Sequence, residues 1–554
     1  MKPPIRLLKI SAAQIMELEK IIETLRQPSA YPDPVGSIEV FQTHISVVFL
    51  AGDFAYKIKK PISLGFLDYS TLEKRLHFCR EEVRLNRRLS PDVYLEVVPI
   101  LHQYGSLVIE ERSTNDPESR SRNNIKEYAV KMKRLPPGCT FRALLERGEL
   151  EEDLLDRLAA KLVDFYSEAD FGEEISKVGS WPVVSDNSKE NFEQIRPFIG
   201  QTLSRQVFNR LHEQTEEALK NLRTLIERRS RGYIPRDTHG DLRLEHIYFF
   251  PNAEEQMQII VVDDCIEFNK RFRYADPVAD VAFLAMDLEH EGYPQLSRKF
   301  SDAYFKKADD AQGRKLLPFY ILYRHMVRGK VSGIKSAEKS VQKEKREKAH
   351  NKARRHFLSA LGKLSLPMEK PCLVLVGGLP GVGKSTLARQ LEDKAGFVRI
   401  SSDSFRKKLA GLPETADAGA DFSEGIYTAE WTGKTYGQLL IKAGEMLFQG
   451  RRVVVDASFP RNKYRIEFLD MARNLGISGL FFICEADHQV VRDRLEARKN
   501  DVSDANWDIY LKATDQWETP SDEIMSRVSA VFTNGTPDES LSASLRLLHQ
   551  KDLY

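Results

Sequence analysis

Residues 372–385 read CLVLVGGLPGVGKS, and this stretch decides the fold of the C-terminal part of the chain. From Gly378 to Ser385 it satisfies the pattern GxxxxGK[ST], after an apolar run and before a helix-forming stretch, which is the context that makes the pattern specific. Its glycines let backbone amides curve around a phosphate, and a helix N-terminus adds positive partial charge. We therefore predict a P-loop that binds ATP and Mg²⁺. The predicted nucleotide-binding residues are Gly378, Gly381, Gly383, Lys384, Ser385 and Thr386, with Ser385 also on the metal.

The rest of the C-terminal part alternates strand-like apolar runs with helical patterns. Strands are predicted at Cys372–Val376, Phe397–Ser401, Arg452–Asp456 and Leu480–Cys484. Strands that alternate with helices form parallel sheets covered on both faces. Ligands bind outside the carboxyl ends of the strands in such sheets.

Polar residues at the ends of two of these strands are candidates for chemistry. Asp456 ends the run VVVD, at the position from which a carboxylate orients Mg²⁺. Asp403 follows the preceding strand, where a carboxylate can accept a proton from an attacking hydroxyl. Arg406 would then hold an anionic acceptor group. The alternative for Asp403 is an ordinary helix start, where Ser and Asp are favoured.

Arg494 and Arg498 lie four residues apart in a helical pattern and therefore share one face. Arginines so placed can close over a triphosphate and neutralise charge in the transition state. The alternative is a solvated charged face.

With the motifs SSDSFR, VVVDASF and RLEARKNDVSDANWDIY, the segment from Pro371 to about Thr533 resembles a family of small P-loop kinases grouped with predicted AAA-type ATPases. Its relatives include gluconate kinase, the zeta toxins and the 5′-hydroxyl polynucleotide kinase. The resemblance implies a base or acceptor contact for Asp403 and a lid that carries Arg494 and Arg498.

The N-terminal part contains a second set of candidates. The sequence HGDL ends at Leu242, and VVDD follows at residues 261–264. Two carboxylates so placed can accept a hydroxyl proton and hold Mg²⁺ on ATP. Upstream, Lys57 and Lys59 share one face of a strand predicted at Phe54–Lys59. Glu82, on the following helix, is the predicted partner of the strand lysine.

Residues from about Phe41 to Val327 resemble the aminoglycoside phosphotransferase family, a branch of the protein-kinase-like fold. The resemblance rests on AYKIKKP, EEVRLNRRL, THGDLRLEHIYFF, VVDDCIEF and YADPVADVAFLAMDL. It implies that Lys57 binds phosphate with Glu82 as its partner, and that Asp241 is the catalytic Asp. It also implies that Asp264 is the metal ligand, with Asp263 as the alternative, and that Asp280 braces the catalytic loop.

One position departs from that family. His246 stands four residues after Leu242, where the family has an Asn that binds a second Mg²⁺. Mg²⁺ prefers oxygen ligands, so imidazole is a poorer one. The N-terminal domain is therefore either an active kinase or a degenerate binding module.

The composition fits a globular, multidomain chain. Of 554 residues, 42% are hydrophobic and 30% charged, and a formal net charge of +2 gives no polyelectrolyte character. There is no secretory pattern and no apolar run of membrane-spanning length. Five cysteines without CxxC spacing favour a reduced cytoplasm.

The expected fold class is α/β and α+β. A two-lobed protein-kinase-like domain is predicted over residues 1–335, a charged helical linker over 336–368 and a parallel-sheet P-loop domain over 369–554.

The leading functional hypothesis is a phosphotransferase that moves the γ-phosphoryl group of ATP to a hydroxyl of a small molecule. The alternatives are a regulatory ATPase, in which nucleotide state switches a degenerate kinase-like module, and a kinase of nucleic-acid 5′-hydroxyls. A small-molecule acceptor is favoured over nucleic acid, and no membrane partner is expected.

Overall fold

The structure, a computed structural model, describes residues 12–64, 67–103, 105–110, 124–251, 258–339, 341–413, 428–497 and 507–554. Two compact units are defined by their internal contacts. The first contains residues 1–187 and 221–320, and the second contains residues 188–220 and 321–554.

The first unit begins with an antiparallel sheet of six strands, in the order β1-β2-β3-β8-β6-β7. A two-stranded ribbon of β4 and β5 lies between β3 and the next helix along the chain. The strands are β1 (Glu39–Gln42), β2 (Ser46–Ala51), β3 (Phe54–Lys59), β4 (Ser63–Leu64), β5 (Leu67–Asp68), β6 (Tyr94–Gln103), β7 (Ser106–Ile109) and β8 (Ile125–Lys133). Alternate β3 residues Ala55, Lys57 and Lys59 share one face of the sheet.

Helices dominate the rest of the first unit. The helices up to residue 337 are α1 (Ala12–Leu25), α2 (Leu72–Asn86), α3 (Phe141–Arg147), α4 (Glu152–Glu168), α5 (Glu173–Val178), α6 (Trp181–Ile195), α7 (Arg205–Arg231), α8 (Lys270–Arg273), α9 (Val278–His290), α10 (Pro294–Lys307) and α11 (Leu317–Ala337). Parts of α6 and α7 and most of α11 belong to the second unit. Two short ribbons carry the loops of the candidate site. They pair β9 (Arg236–Asp237) with β12 (Tyr274–Ala275) and β10 (Ile247–Pro251) with β11 (Gln258–Val262). A sheet lobe followed by a helical lobe is the two-lobed protein-kinase-like architecture, as predicted.

The second unit is built on a parallel sheet of five strands, in the order β14-β15-β13-β16-β17. The strands are β13 (Cys372–Gly377), β14 (Val398–Ser401), β15 (Val453–Asp456), β16 (Ser478–Glu485) and β17 (Val528–Phe532). Every residue of β13 is buried, because the central strand of a parallel sheet has helices on both faces. The α/β class predicted for this part is confirmed.

The helices of the second unit connect these strands. They are α12 (Lys343–Leu364), α13 (Lys384–Ala395), α14 (Ser402–Leu409), α15 (Ala429–Phe448), α16 (Asn462–Asn474), α17 (His488–Glu496), α18 (Trp507–Asp515), α19 (Asp522–Met525) and α20 (Pro537–Gln550). The edge strand β17 was not predicted, because its sequence VSAVF is short and partly exposed.

The division into units differs from the predicted boundaries at residues 335 and 369. The second half of α12 lies inside the core of the second unit, where Phe357 and Leu361 are fully buried. The segment 188–220 belongs to the same core through residues such as Val207 and Leu211. Charge is concentrated in the first half of α12, so composition alone indicated a solvated connector.

All five cysteines are free thiols, and four of them are buried. No helix among the described residues combines the length and the apolar composition needed to cross a bilayer.

The central strand gives a test of the core. Leu375 is fully buried in β13, so Leu375→Ala should destabilise the second unit by about 2–5 kcal/mol through lost burial and a cavity. Hydrogen exchange of the β13 amides reports on this unit alone. The control is Phe532→Ala on the edge strand, where the side chain is 69% exposed and the expected change is within about 0.5 kcal/mol. Equal effects of the two changes would contradict this description of the core.

Two candidate phosphotransfer sites

The loop before α13 has the backbone of a phosphate cradle. Gly378, Gly381 and Gly383 have φ values of 137°, 80° and 94°, which glycine adopts more readily than other residues. A Cβ at Gly378 would lie 2.5 Å from the carbonyl oxygen of Cys484, so a side chain is also excluded by space. The loop can therefore bring its backbone amides against an anion.

Lys384, Ser385 and Thr386 form the first turn of α13, directly after this loop. The Lys384 ammonium donates a hydrogen bond of 2.7 Å to the carbonyl oxygen of Leu379 and so lies across the loop. Consecutive residues of this turn thus supply a helix N-terminus, an ammonium and two hydroxyls. This donor set fits the phosphates and the Mg²⁺ of ATP.

The sheet register brings three strand ends together. Val376 of β13 pairs with Asp456 of β15, which pairs with Ser401 of β14. Asp456 is therefore next to the P-loop strand, and its side chain, with 3% of the residue exposed, is hydrogen bonded to Ser385. A carboxylate bonded to the P-loop serine fits a direct or water-mediated contact with Mg²⁺.

Asp456 has a raised pKa. Burial is the main cause, and the nearby negative charge of Asp403 adds to it. Lys384, the hydrogen bond from Ser385 and Arg399, whose Nη1 lies 3.5 Å from Asp456 Oδ2, act in the opposite direction.

Asp403 lies in the first turn of α14, at the same edge of the sheet. Its charge acts on Asp456 and on the phenol of Tyr436, and the buried Arg406 also acts on that phenol. The Tyr436 hydroxyl accepts a hydrogen bond of 2.9 Å from the amide of Phe459. Asp403 and Arg406, three residues apart on α14, thus both lie within electrostatic reach of Tyr436.

Arg494 reaches the P-loop from α17. Its Nη2 donates to the carbonyl oxygen of Thr533 at 2.6 Å, and its Nη1 lies 3.7 Å from the position of a Cβ on Gly383. That Nη1 is buried and has no hydrogen-bond partner among the described residues. This placement fits a contact with nucleotide. Arg498, the second predicted lid arginine, lies outside the described residues.

Sequence reasoning missed Arg465, a fully buried arginine that shapes the loop after β15. It donates to the carbonyl oxygens of Phe459 and Glu518 at 2.8 and 2.6 Å. Burial lowers its pKa to about 10. Nothing in the spacing distinguishes it from a solvated helix arginine.

In the first unit, Lys57 lies between two carboxylates. Its ammonium is 2.7 Å from Glu82 Oε1 and 2.7 Å from Asp264 Oδ1. Burial alone would lower the pKa of Lys57, but Asp264 and Glu82 hold it well above its ordinary value. The predicted lysine, its helix partner and the predicted metal ligand therefore meet.

The two neighbouring aspartates are in different electrostatic states. Burial, together with the charge of Asp264, holds the pKa of Asp263 well above its ordinary value. Burial also opposes ionisation of Asp264, but Lys57, His246 and Arg243 outweigh it and lower the pKa of Asp264. A charged carboxylate is the better Mg²⁺ ligand, which favours Asp264 over Asp263.

Lys59 is a further residue that sequence reasoning did not assign. Its ammonium is 2.7 Å from Glu82 Oε2 and also contacts Glu267, whose Oε1 accepts a hydrogen bond of 2.5 Å from Tyr69. The two lysines thus bind one oxygen each of Glu82. Lys59 is buried, and its period-two spacing from Lys57 was the available signal.

Asp280 holds the loop that carries Asp241. Its carboxylate accepts hydrogen bonds from the amides of His239 and Gly240, at 2.7 and 2.9 Å, and from the Tyr166 hydroxyl at 3.0 Å. The side chain is fully buried. This arrangement is the one that the bracing role requires.

Asp241 itself is paired with an arginine two residues along the chain. Arg243 donates to both carboxylate oxygens, at 3.0 and 2.9 Å. The carboxylate is 21% exposed.

Asp456 gives the P-loop site a pH dependence. A carboxyl group with a raised pKa stays protonated to a higher pH, and the carboxylate is the form that holds Mg²⁺. We expect affinity for Mg²⁺–ATP to rise with pH, with a midpoint above the ordinary carboxyl value of about 4. Calorimetric titrations over a pH series measure it. Asp456→Asn should flatten this profile, whereas Asp393→Asn, at an exposed position, should leave it intact. An unchanged profile in the Asp456 variant would refute the assignment.

Comparison with known proteins agrees with this geometry. A sequence model of the AAA domain family matches residues 373–516. An adenylate kinase of Mycoplasmopsis pulmonis is 31% identical over 147 residues, which are 25% of this chain and 64% of that protein. Residues 373–516 of the second unit therefore form a P-loop domain of the kinase-like type.

Two solved structures each align with a portion of this chain. A gluconokinase from Sinorhizobium meliloti aligns with 33% of this chain and 95% of its own, at 18% identity and a TM-score of 0.25. The GDP complex of aminoglycoside 2′-phosphotransferase-IIIa aligns with 61% of this chain and 98% of its own, at 16% identity and a TM-score of 0.37.

Longer matches come from mycobacteria. The uncharacterized protein Rv2004c of Mycobacterium tuberculosis is 30% identical over 472 residues, which are 85% of this chain and 88% of that protein. An uncharacterized protein of Mycobacterium bovis matches to the same extent. Because the match covers most of both chains, the present protein belongs to the family of these mycobacterial proteins.

Proposed function

We propose that the second unit transfers the γ-phosphoryl group of ATP to a hydroxyl of a small molecule. The observation that carries the proposal is the shared strand edge. The P-loop after β13, Asp456 at the end of β15 and Asp403 just after β14 meet there. A nucleotide site alone requires the first two, whereas a second carboxylate beside it provides a base.

The residues have separate roles. Lys384 and the loop amides hold the phosphates, and Ser385 and Asp456 hold Mg²⁺. Arg406 binds an anionic group of the acceptor, and Arg494 neutralises charge that develops on the phosphates, together with Arg498. Bound Mg²⁺ would supply further charge neutralisation on the transferred group.

The proposed transfer needs only ATP, the acceptor alcohol and the Asp403 carboxylate. The acceptor oxygen forms a bond to the γ-phosphorus, and its proton passes to the Asp403 carboxylate. The bond between that phosphorus and the bridging oxygen breaks, and ADP leaves with the electron pair.

The cytoplasm, where thiols remain reduced, is the proposed compartment.

The first unit is proposed as a second ATP site. Lys57 would hold phosphate, Asp264 would hold Mg²⁺ and Asp241 would accept the hydroxyl proton. It would either catalyse a second transfer or present a substrate.

The named adenylate kinase relative suggests a different acceptor class for the P-loop unit, a nucleotide phosphate. A phosphate acceptor carries no proton that has to be removed, so Asp403 would be dispensable. A nucleotide switch would likewise hydrolyse ATP without an acceptor, and a nucleic-acid kinase would bind with steep salt dependence. An acceptor panel of alcohols, nucleoside monophosphates and 5′-hydroxyl oligonucleotides separates these classes.

Asp403→Asn tests the proposed base. It should lower kcat for transfer to the alcohol by about 10²–10⁴ with ATP affinity retained, because the carboxylate acts on the acceptor rather than on the nucleotide. The matched control is Asp393→Asn, on the exposed face of α13. Transfer at the wild-type rate in the Asp403 variant would exclude it as the base and favour a phosphate acceptor.

Lys384→Ala tests which unit turns over ATP. The change should abolish P-loop turnover, since the ammonium contacts the transferred phosphate. Lys394→Ala, at an exposed position on the same helix, should have little effect. If ATP consumption stays at the wild-type rate in the Lys384 variant and is lost on adding Asp241→Asn, that turnover belongs to the first unit and the proposal for the second unit fails.

A further inference from the structure

We propose that Arg243 takes the place of a second divalent cation in the N-terminal site, so that this site binds ATP with a single Mg²⁺. Protein-kinase sites hold two Mg²⁺ ions, one on the metal Asp and one on an Asn of the catalytic loop. Asp264 fits the first position. The residues at the second position do not fit a metal ion.

His246 occupies the Asn position, and its ring orientation is fixed. Its Nδ1 lies 2.9 Å from the carbonyl oxygen of Asp241. A carbonyl only accepts, so Nδ1 is the donor and the lone pair of a neutral ring is on Nε2. Arg243 Nη2 lies 3.0 Å from that Nε2 and donates to it. The nitrogen that a metal would need is thus bound to a guanidinium.

The guanidinium is held by its other contacts. Nε and Nη2 bind the two oxygens of Asp241, and Nη1 binds Glu245. The residue is 8% exposed. Two carboxylates, those of Asp241 and Glu245, thus surround the guanidinium, and its pKa is raised above the ordinary value despite burial.

A metal bridging His246 and Asp264 is the competing arrangement. His246 Nε2 lies 3.6 Å from Asp264 Oδ2, a spacing that one ion can bridge. Such an ion would have to take the Nε2 lone pair from Arg243 and then lie beside its positive charge. Repulsion between the two cations opposes this.

The His at position 246, where the family has Asn, therefore acts as a hydrogen-bond acceptor for Arg243. An amide at position 246 would offer an oxygen to Mg²⁺, whereas the imidazole offers an acceptor to the guanidinium. Arg243 then supplies a permanent positive charge beside Asp241, where an Asn would have allowed a second metal ion. This inference concerns the first unit and is independent of the chemistry proposed for the second.

Counting bound metal ions tests it. The full chain with Lys384→Ala, which disables the P-loop, is titrated with Mn²⁺ and a non-hydrolysable ATP analogue, and bound Mn²⁺ is counted by electron paramagnetic resonance. Lys57→Ala in the same background identifies the nucleotide held by the N-terminal site. Lys57→Ala should remove one bound nucleotide and, with it, one bound Mn²⁺.

Restoring the amide and removing the arginine should create the second metal position. The variant with Arg243→Ala and His246→Asn should bind two Mn²⁺ per nucleotide. Arg84→Ala, which removes an exposed arginine paired with Glu81, should keep the count at one.

Three results would overturn the proposal. They are two Mn²⁺ per nucleotide before residues 243 and 246 are changed, a count that stays at one in the double variant, and the absence of any nucleotide binding that depends on Lys57.

Discussion

The parallel pairing of β13 with β15 is the constraint on which the second unit depends. It sets Val376 opposite Asp456, and the further pairing of β15 with β14 sets Asp456 opposite Ser401. Side chains far apart in sequence therefore leave the sheet at one edge, beside the N-terminus of α13. A one-residue slip of β15 would turn Asp456 to the other face and remove its hydrogen bond with Ser385. The register that stabilises the core thus also builds the site.

In the first unit, ion pairs rather than strand pairing bring the residues of the candidate site together. Glu82 gives one oxygen to Lys57 and the other to Lys59, and each lysine has a second carboxylate, Asp264 or Glu267. A buried charge is tolerated where it is paired, and loss of one partner leaves the others uncompensated. The network therefore ties β3, α2 and the Asp264 loop into one unit. Lys59 acts in it as a positioning residue, although Lys57 is the lysine that faces the site.

Features encoded by consecutive residues could be predicted from the sequence, whereas contacts between residues distant in sequence could not. The P-loop and strand β3 are encoded in a few consecutive residues, and β3 begins and ends as predicted, at Phe54 and Lys59. The ion pairs of Lys59 and the contacts of Arg465 join residues distant in sequence, and no spacing rule reports them. Helix α12 was predicted as part of a charged linker because its contacts with the core also lie far away in the sequence. Its buried residues Phe357 and Leu361 follow a charge-dense half, and periodicity does not say which core an amphipathic face meets.

The His at position 246 does not by itself show whether the N-terminal site is functional, because the charges around it also matter. His246 in isolation indicates a lost metal ligand and hence a degenerate site. With Arg243 it forms a closed arrangement in which the cation is covalently part of the chain, and Asp241, Glu245 and the imidazole supply its acceptors. A covalent cation cannot be lost by dilution or chelation, but it also cannot leave with the product. The site would then depend on Mg²⁺ through Asp264 alone, and Arg243 would remain beside Asp241 throughout a catalytic cycle. A base paired with a guanidinium is a weaker proton acceptor, so transfer in this unit would favour acceptor hydroxyls that lose their proton readily.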